Sequence, residues 1–469
     1  MNYLDYFKEM CKIPHGSGNT KRISDWLVSF AKEHDLEYHQ DDANNIIIIK
    51  EASKGCEDKP AVIIQGHMDM VAVSDADCNI NMAEEGLELC EEGDFLFAKG
   101  TSLGGDDGIA VAYGLALLAD TELMLPRLEL VVTVDEEVGM LGADVIDVSC
   151  CQAKTMLNID SEDEGIFLVS CAGGARVDIT LPMNELIVDN GEVYEVSISG
   201  LIGGHSGTEI DKGRANAIVL MGNILRKLAE ARLLLGINDI CGGTADNAIS
   251  NSCKCKILCK PIEPELFEII KFEVLEEYMS VESNAVISLE KTGEKCSSLE
   301  FKANSQFDLS KFLTAVPNGV IAMSNDIAGL VETSLNQGII RMNDEGVTLS
   351  ISVRSNIDAR KEELIKNLLD IADSFGASTK VHGDYPGWAY KKDSPLREKM
   401  IAVYKEMYGE EPKVEALHAG LECGVFARKI PGLDCVSFGP DLFDIHTTKE
   451  RLSLSSAERV WNFILKVLS

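Results

Sequence analysis

Apolar positions recur at helical spacing over residues 20–32, while residues 45–49 and 61–65 form two short apolar runs of strand length. The second run leads straight into GHMDM at residues 66–70. Residues 107–119 read as a helix, residues 128–134 as a strand running into Asp135, Glu136 and Glu137, and residues 155–159 as a strand that stops at Asp160. Polar side chains therefore recur where strands end. In an open α/β sheet those ends form the ligand crevice, because loops converge there over a rigid floor.

The alternation changes after about residue 182. Residues 192–199 and 253–259 read as strands around a long helix over 213–230, and the stretches 265–274, 309–316, 347–354 and 362–375 continue a mixed pattern up to a turn-like HGDYPGW at 382–388. Helices follow over 397–408 and 417–429, then a strand over 435–438 and a last helix over 455–468. No internal repeat or low-complexity linker interrupts the chain. The most economical architecture is an α/β catalytic domain built from residues 1–182 and 383–469, interrupted by an inserted α+β domain over residues 183–382.

Length and charge narrow the partners. At 469 residues with a hydrophobic fraction of 45%, the chain can bury a sizeable core, which excludes disorder as its main state. Acidic residues number 77 against 43 basic ones, and the formal charge of -34 repels phosphate backbones and anionic membrane surfaces. Neither nucleic acid nor membrane is an expected partner. The 14 cysteines are irregularly spaced, with Cys150 and Cys151 adjacent, so they read as buried thiols of a reducing compartment rather than as a disulfide framework. No run approaches the ~20 apolar residues of a bilayer span, and the opening segment has acidic residues inside its apolar stretch, unlike a secretion signal. The expected location is cytoplasmic.

The chemistry-bearing candidates are His67, Asp106, Glu137, Asp160 and His446, each next to a glycine, another polar residue or the end of an expected strand. Imidazole offers a neutral nitrogen, and carboxylates neutralise and can bridge divalent cations, so the mixture suits zinc, manganese or cobalt. Taken singly, each is more readily a surface or structural residue, the acids above all. His67 and Asp69 lie two apart, so an extended backbone turns both to one side, where Asp69 could fix the tautomer of a ligating His67; a local polar cap or turn is the competing reading. Glu136 and Glu137 are neighbours at a strand-to-turn transition, where Glu137 could bind a cation while Glu136 accepts a proton from an activated water.

GHMDMV, GTSLGGDDG, TVDEEVG, NIDSEDEG, HAGLECG and the late FDIHT together resemble the aminoacyl-histidine dipeptidase branch of the M20 metallopeptidase family, over nearly the whole chain. The resemblance implies a zinc-peptidase-like α/β catalytic domain carrying an inserted α+β lid and dimerisation domain. It also implies two divalent metal ions per subunit, zinc foremost with manganese or cobalt as options, and a homodimer acting on small peptides. Carried onto this sequence, it makes His67, Asp106 and Asp160 ligands of one ion and Asp106, Glu137 and His446 ligands of the other, with Asp106 bridging. It puts the orienting carboxylate at Asp69 and the general base at Glu136, and leaves Asp107 as a local cap or supporting group.

In GLIGGHSGTEID, the resemblance makes His205 the group that would reach a substrate carboxylate or developing oxyanion, and in related dimers the equivalent histidine approaches the neighbouring subunit's site. Asn247, Asn325 and Arg354 are further candidates for the polar end of the substrate. A guanidinium such as that of Arg354 pairs well with a carboxylate, although an interdomain ion pair would use it equally well. HAGLECG adds His418, Gly420 and Glu422 to the wall of the site; Glu422 would recognise a free ammonium or orient a histidine, unless it is a helix-surface acid. Ser250 and Asn251 depart from the proline and the basic residue common in relatives, which bears on dipeptide preference.

The implied activity is metal-dependent hydrolysis of dipeptides, Xaa-His preferred, with Glu136 as general base toward a water activated between two metals. A broader M20 aminopeptidase or amidohydrolase is one alternative, separable by tripeptides and acylated amino acids. A catalytically silent peptide-binding dimer is the other, and would follow if His67 or Glu136 faced away from the cleft. GTSLGGDDG lacks the lysine and spacing of a phosphate-binding loop and is no dinucleotide fingerprint, GGHSG is too short to mark a serine nucleophile, and the adjacent Cys150 and Cys151 are not a CxxC redox pair.

Overall fold

A computed structural model describes residues 1–186, 190–294, 301–303 and 308–469. The chain divides into two compact units. Met1–Cys171, Trp388–Ala416 and Leu421–Ser469 form the first, and Ala172–Gly387 with Leu417–Gly420 form the second. The second unit is therefore an insertion into a mixed α/β first unit.

In the first unit, eight strands form the main sheet in the order Glu37–Gln40, Ile46–Lys50, Leu128–Thr133, Val62–His67, Thr155–Asn158, Asp434–Ser437, Ile166–Cys171 and Lys413–Leu417. Val62–His67 runs parallel to Leu128–Thr133 and to Thr155–Asn158, which in turn runs parallel to Asp434–Ser437. Parallel strands are covered on both faces, which is why these segments are apolar at consecutive rather than alternate positions. The Gly105–Ala119 helix is part of that cover: its residues Ile109–Leu118 are buried and share a core with Ile48, Ile64, Leu130 and Val132. Pairing of Asp434–Ser437 with Thr155–Asn158 joins the late segment of the chain to the early one in a single sheet. A second, four-stranded sheet sets Leu442–Phe443 beside Arg451–Ser453, then Phe95–Ala98 and Leu89–Glu92, so His446 sits in the turn between its first two strands.

The second unit is built on an antiparallel sheet whose strands run in the order Val286–Lys291, Glu192–Ser199, Cys253–Cys259, Leu234–Gly242, Val331–Asn343, Gly346–Ser355, Gly173–Leu181 and Ser378–Tyr385. Here burial alternates, as along Val177, Ile179 and Leu181, because one face meets helices and the other does not. The helices Ala217–Glu230, Pro264–Leu275 and Asp358–Ser374 share that core. Asn216 starts the first of them by accepting the N–H of Ile218 at 2.9 Å, so the helix opens at Ala217 rather than at residue 213.

Several expected boundaries move for local reasons. Gly173–Leu181 pairs with Gly346–Ser355, so the second unit begins at Ala172 and not after residue 182. The HGDY of the expected turn lies in the Ser378–Tyr385 strand, at the edge of the sheet, and the chain leaves it only at Pro386. The helix expected over 417–429 begins at Glu422: Lys413–Leu417 is a strand, and the carbonyls of Leu417 and Ala419 accept the Ala172 N–H at 3.1 and 3.0 Å. Cys150 and Cys151 are partly exposed rather than buried, and all 13 cysteines among the described residues are free thiols. Among the described residues, no helix is long and apolar enough to cross a membrane.

Candidate active site

The first unit gathers its polar residues where the parallel strands end. His67 closes Val62–His67 and has no exposed surface. Its Nδ1 donates to the main-chain carbonyl of Asp69 at 2.9 Å, with the Asp69 carboxylate 3.5 Å away. That bond fixes the tautomer and leaves the Nε2 lone pair for a ligand. Nε2 lies 3.2 Å from Asp106 Oδ1 and 3.7 Å from Asp160 Oδ1. The other Asp106 oxygen, Oδ2, lies 3.2 Å from Nε2 of His446, and that same nitrogen is 3.0 Å from Glu137 Oε2. One carboxylate thus stands between two imidazoles, one from residue 67 and one from residue 446. His446 holds a left-handed φ of 61°, a backbone state uncommon outside glycine and typical of fixed sites.

Asp69 does more than face His67. Its Oδ2 accepts the Ser17 hydroxyl at 2.8 Å and its Oδ1 accepts the Glu136 N–H at 3.1 Å, so one side chain ties the His67 turn to the backbone of Glu136. Its tautomer-fixing bond to His67 runs through its main chain. Glu422, far from being a surface acid, has no exposed surface and accepts the Thr133 hydroxyl at 2.7 Å and the Gln65 amide; neither partner is a histidine. Its Oε1 meets no donor among the described residues.

The donors fit divalent cations. His67, Asp106 and Glu137 offer ligand atoms within 4.8 Å of one another, and so do His67, Asp107 and Asp160. Asp107, expected only as a cap or supporting group, thereby enters the donor set. Glu137 Oε1 and Asp107 Oδ2 are buried and make no hydrogen bond among the described residues. A buried carboxylate oxygen left so is costly unless a cation or proton meets it. Two imidazoles among several carboxylates is the nitrogen and oxygen mixture that zinc and manganese accept.

The charges respond accordingly. Burial disfavours charge on His67, yet hydrogen bonds to Asp106 and Asp69 hold it protonated well above the ordinary imidazole range. Hydrogen bonds to Asp106 and Glu137 push His446 up to about 10. Burial would raise Asp106, but the His446 and His67 rings hold it below the usual carboxylate range. Burial pushes Asp107 and Asp160 well above that range, Glu136 up to about 8 and Glu422 up to about 7. Excess carboxylate charge is thus met by protons on the imidazoles, protons that a cation must displace because a ligating imidazole is neutral.

The second unit gathers a different group. His205 Nδ1 accepts the N–H groups of Gly207 and Thr208, both at 3.2 Å, so the neutral ring carries its proton on Nε2 and is a donor there. Burial and the Arg354 guanidinium lower its pKa. His418 is buried, its Nε2 is 2.7 Å from the Ser334 hydroxyl, and burial with Arg354 pushes it down to about 4. Gly207 allows the approach of these two segments: a Cβ there would lie 2.4 Å from the His418 carbonyl oxygen and 2.9 Å from His205 Cε1. Arg354 is 8% exposed, donates to the Tyr385 hydroxyl at 3.1 Å, and makes no ion pair within its own unit among the described residues. Gly420 ends the Leu417–Gly420 segment that carries His418. Asn247 contributes its carbonyl to the Ser206 N–H at 2.8 Å, and Asn325 is exposed after the Gly319–Met323 strand. Sequence reasoning passed over Ser17, Thr133, Gln65 and Gly207. Only Gly207, inside GGHSG, and Ser17, between glycines, carried a local signal.

The profile of peptidase family M20/M25/M40 matches residues 63–469. Among curated proteins, the cytosol non-specific dipeptidase of Escherichia coli K12 is 34% identical over 473 residues, covering 99% of this chain and 96% of that protein. Among solved structures, aminoacylhistidine dipeptidase from Vibrio alginolyticus superposes with a TM-score of 0.93 at 32% identity, covering 99% of this chain and 96% of that one. The aminopeptidase PepT from Bacillus cereus shares the fold at 16% identity, with a TM-score of 0.57 over 100% of this chain and 97% of that one.

Proposed function

The chain belongs to peptidase family M20/M25/M40, and on that footing we propose that it is a dinuclear metallo-dipeptidase that prefers Xaa-His dipeptides. Asp106 carries this reading: its two oxygens each lie 3.2 Å from Nε2 of a different imidazole, His67 and His446. A carboxylate so flanked would be shared by two cations, with His67 and Asp160 as the further donors to one and His446 and Glu137 to the other. Zinc or manganese held there would supply Lewis-acid polarisation of the scissile carbonyl and would acidify water.

The chain's own residues perform the remaining steps. Glu136, tethered through its N–H to Asp69, takes the proton of the attacking water as the new C–O bond forms. It returns that proton to the amine nitrogen as the C–N bond breaks, so two free amino acids leave and the carboxylate is regenerated. His205 donates from Nε2 to the substrate carboxylate or the developing oxyanion, and Arg354 pairs with the carboxylate end. No serine or cysteine nucleophile is required. The protein acts as a homodimer in which the second unit serves as lid and interface, and it works in the cytoplasm.

The name of the Vibrio relative favours Xaa-His substrates, whereas that of the Escherichia coli relative favours dipeptides at large. A panel of β-Ala-His, other Xaa-His and non-histidine dipeptides, tripeptides and acylated amino acids separates these readings. Each is assayed by ninhydrin with chelated protein, with protein resupplied with zinc or manganese, and with Glu136→Ala. Metal-restored cleavage of Xaa-His, absent in the variant, is the expected result. Equal rates across all dipeptides would leave the broader activity, and silence of folded, zinc-loaded protein on the whole panel would sink the peptidase reading.

A further inference from the structure

The glycine-rich GTSLGGDDG has no lysine for a phosphate, yet its backbone does cradle an anion, and the anion belongs to the chain itself. Glu450, 3% exposed, accepts four successive N–H groups of this loop. Its Oε2 takes Leu103 and Gly104 at 2.8 and 3.1 Å, and its Oε1 takes Gly105 and Asp106 at 2.8 and 3.5 Å. Successive N–H groups converge in this way where the backbone passes through a left-handed residue, here Gly104 at φ 71°, just before the Gly105–Ala119 helix. Glycine suits this position, because it takes the left-handed conformation without strain and a Cβ there would lie 2.9 Å from the Met70 sulfur.

The loop so held presents Asp106, the carboxylate between the two imidazoles. The residue that holds it sits four positions after His446, and its own N–H donates to the Thr447 carbonyl at 3.2 Å. One side chain therefore fixes the backbone under Asp106 and belongs to the turn that carries His446. We propose that Glu450 is a positioning residue: by filling the 103–106 backbone cradle with its own carboxylate, it sets the separation of Asp106 and His446 that cation binding requires. It touches no reacting atom. The inference rests on the dinuclear reading of the site given above.

Glu450→Gln keeps the size of the side chain but replaces one acceptor oxygen with an N–H₂ group that faces backbone donors. Glu450→Asp keeps the charge with a shorter reach and guards against a loss of folding in the amide variant. Hydrogen exchange on metal-free protein reads the loop, zinc titration reads the site, and kinetics with β-Ala-His separate kcat from KM. In Glu450→Gln the amides of Leu103–Asp106 are expected to exchange at least about tenfold faster, and zinc affinity to fall about 10- to 100-fold, the usual range for a group supporting metal ligands. The variant's kcat should drop with KM little changed, and Glu450→Asp should fall between it and the wild type. Unchanged exchange over 103–106 overturns the proposal. So does faster exchange with wild-type zinc affinity, which would reduce Glu450 to a helix cap. Wild-type protein that takes up no zinc would sink the dinuclear reading itself, and this inference with it.

Discussion

The candidate site histidines of the two units shift in opposite directions: His67 and His446 upward, His205 and His418 downward. In the first unit, Asp106 and Glu137 push His446 up to about 10, and His67 is held well above the ordinary range. In the second, burial and Arg354 push His418 down to about 4 and lower His205 as well. The same side chain is a proton holder among carboxylates and a neutral donor or acceptor beside a guanidinium. Buried carboxylates dominate the first region, whereas the second sets the Arg354 guanidinium near two neutral imidazoles.

Removing the pivot of the negative region should have the largest effect. Asp106→Asn is expected to lose bound zinc, read by elemental analysis, and to drop kcat/KM by about 10³-fold or more. Full zinc content with near wild-type turnover would mean that the imidazoles are not organised around that carboxylate. In the positive region, Arg354→Ala should raise KM for dipeptides about 10- to 100-fold while kcat changes little, and Arg354→Lys should restore it only in part. The same substitution should raise the pKa of His418 in an NMR titration, because the guanidinium that lowers it is gone. A His418 pKa that stays at about 4 would assign the whole depression to burial.

The smallest effect is on stability. The folded-state pKa of His418 lies below its unfolded value of 6.5, so as pH falls the unfolded chain takes up this proton first. Stability present above pH 6.5 is therefore lost as pH falls toward 4, by on the order of 1–3 kcal/mol for this group. Urea unfolding midpoints at about pH 7.5 and about pH 4.5 should fall further for wild type than for His418→Gln. Equal losses in the two proteins would show that His418 is not held neutral.

Much of the first region was legible because His67, Glu136, Glu137 and Asp160 stand at or just beyond the ends of buried, mostly apolar strands. Ile63, Ile64 and Gly66 announce a buried strand, and His67 follows where such a strand must meet solvent or ligand. Burial itself was not legible for Glu422, since a glutamate opening a short helix looks alike on the surface and beneath Thr133. Nor was the start of that helix: Leu417 and Ala419 are good helix formers, but Lys413–Leu417 joins the sheet beside Ile166–Cys171 and both carbonyls bond the distant Ala172 N–H. Glu450 gave no local sign, for its partners lie 344 to 347 residues earlier and are main-chain groups, which no side-chain pattern encodes. The second unit was harder throughout. His205, Arg354 and His418 come from three separate segments of an antiparallel architecture and share no strand end.

The pairing of Asp434–Ser437 with Thr155–Asn158, and of Asp106 with His446, also sets a clock on synthesis. Asp106 emerges 340 residues before His446, an interval of roughly 20–70 s at about 5–20 residues per second. During it the second unit, nearly continuous in sequence, can fold, while the first still lacks an inner strand of its sheet and the carboxylate that closes its glycine loop. A nascent chain therefore cannot complete this sheet, or bring Asp106 and His446 together, until residues 434–450 have been made.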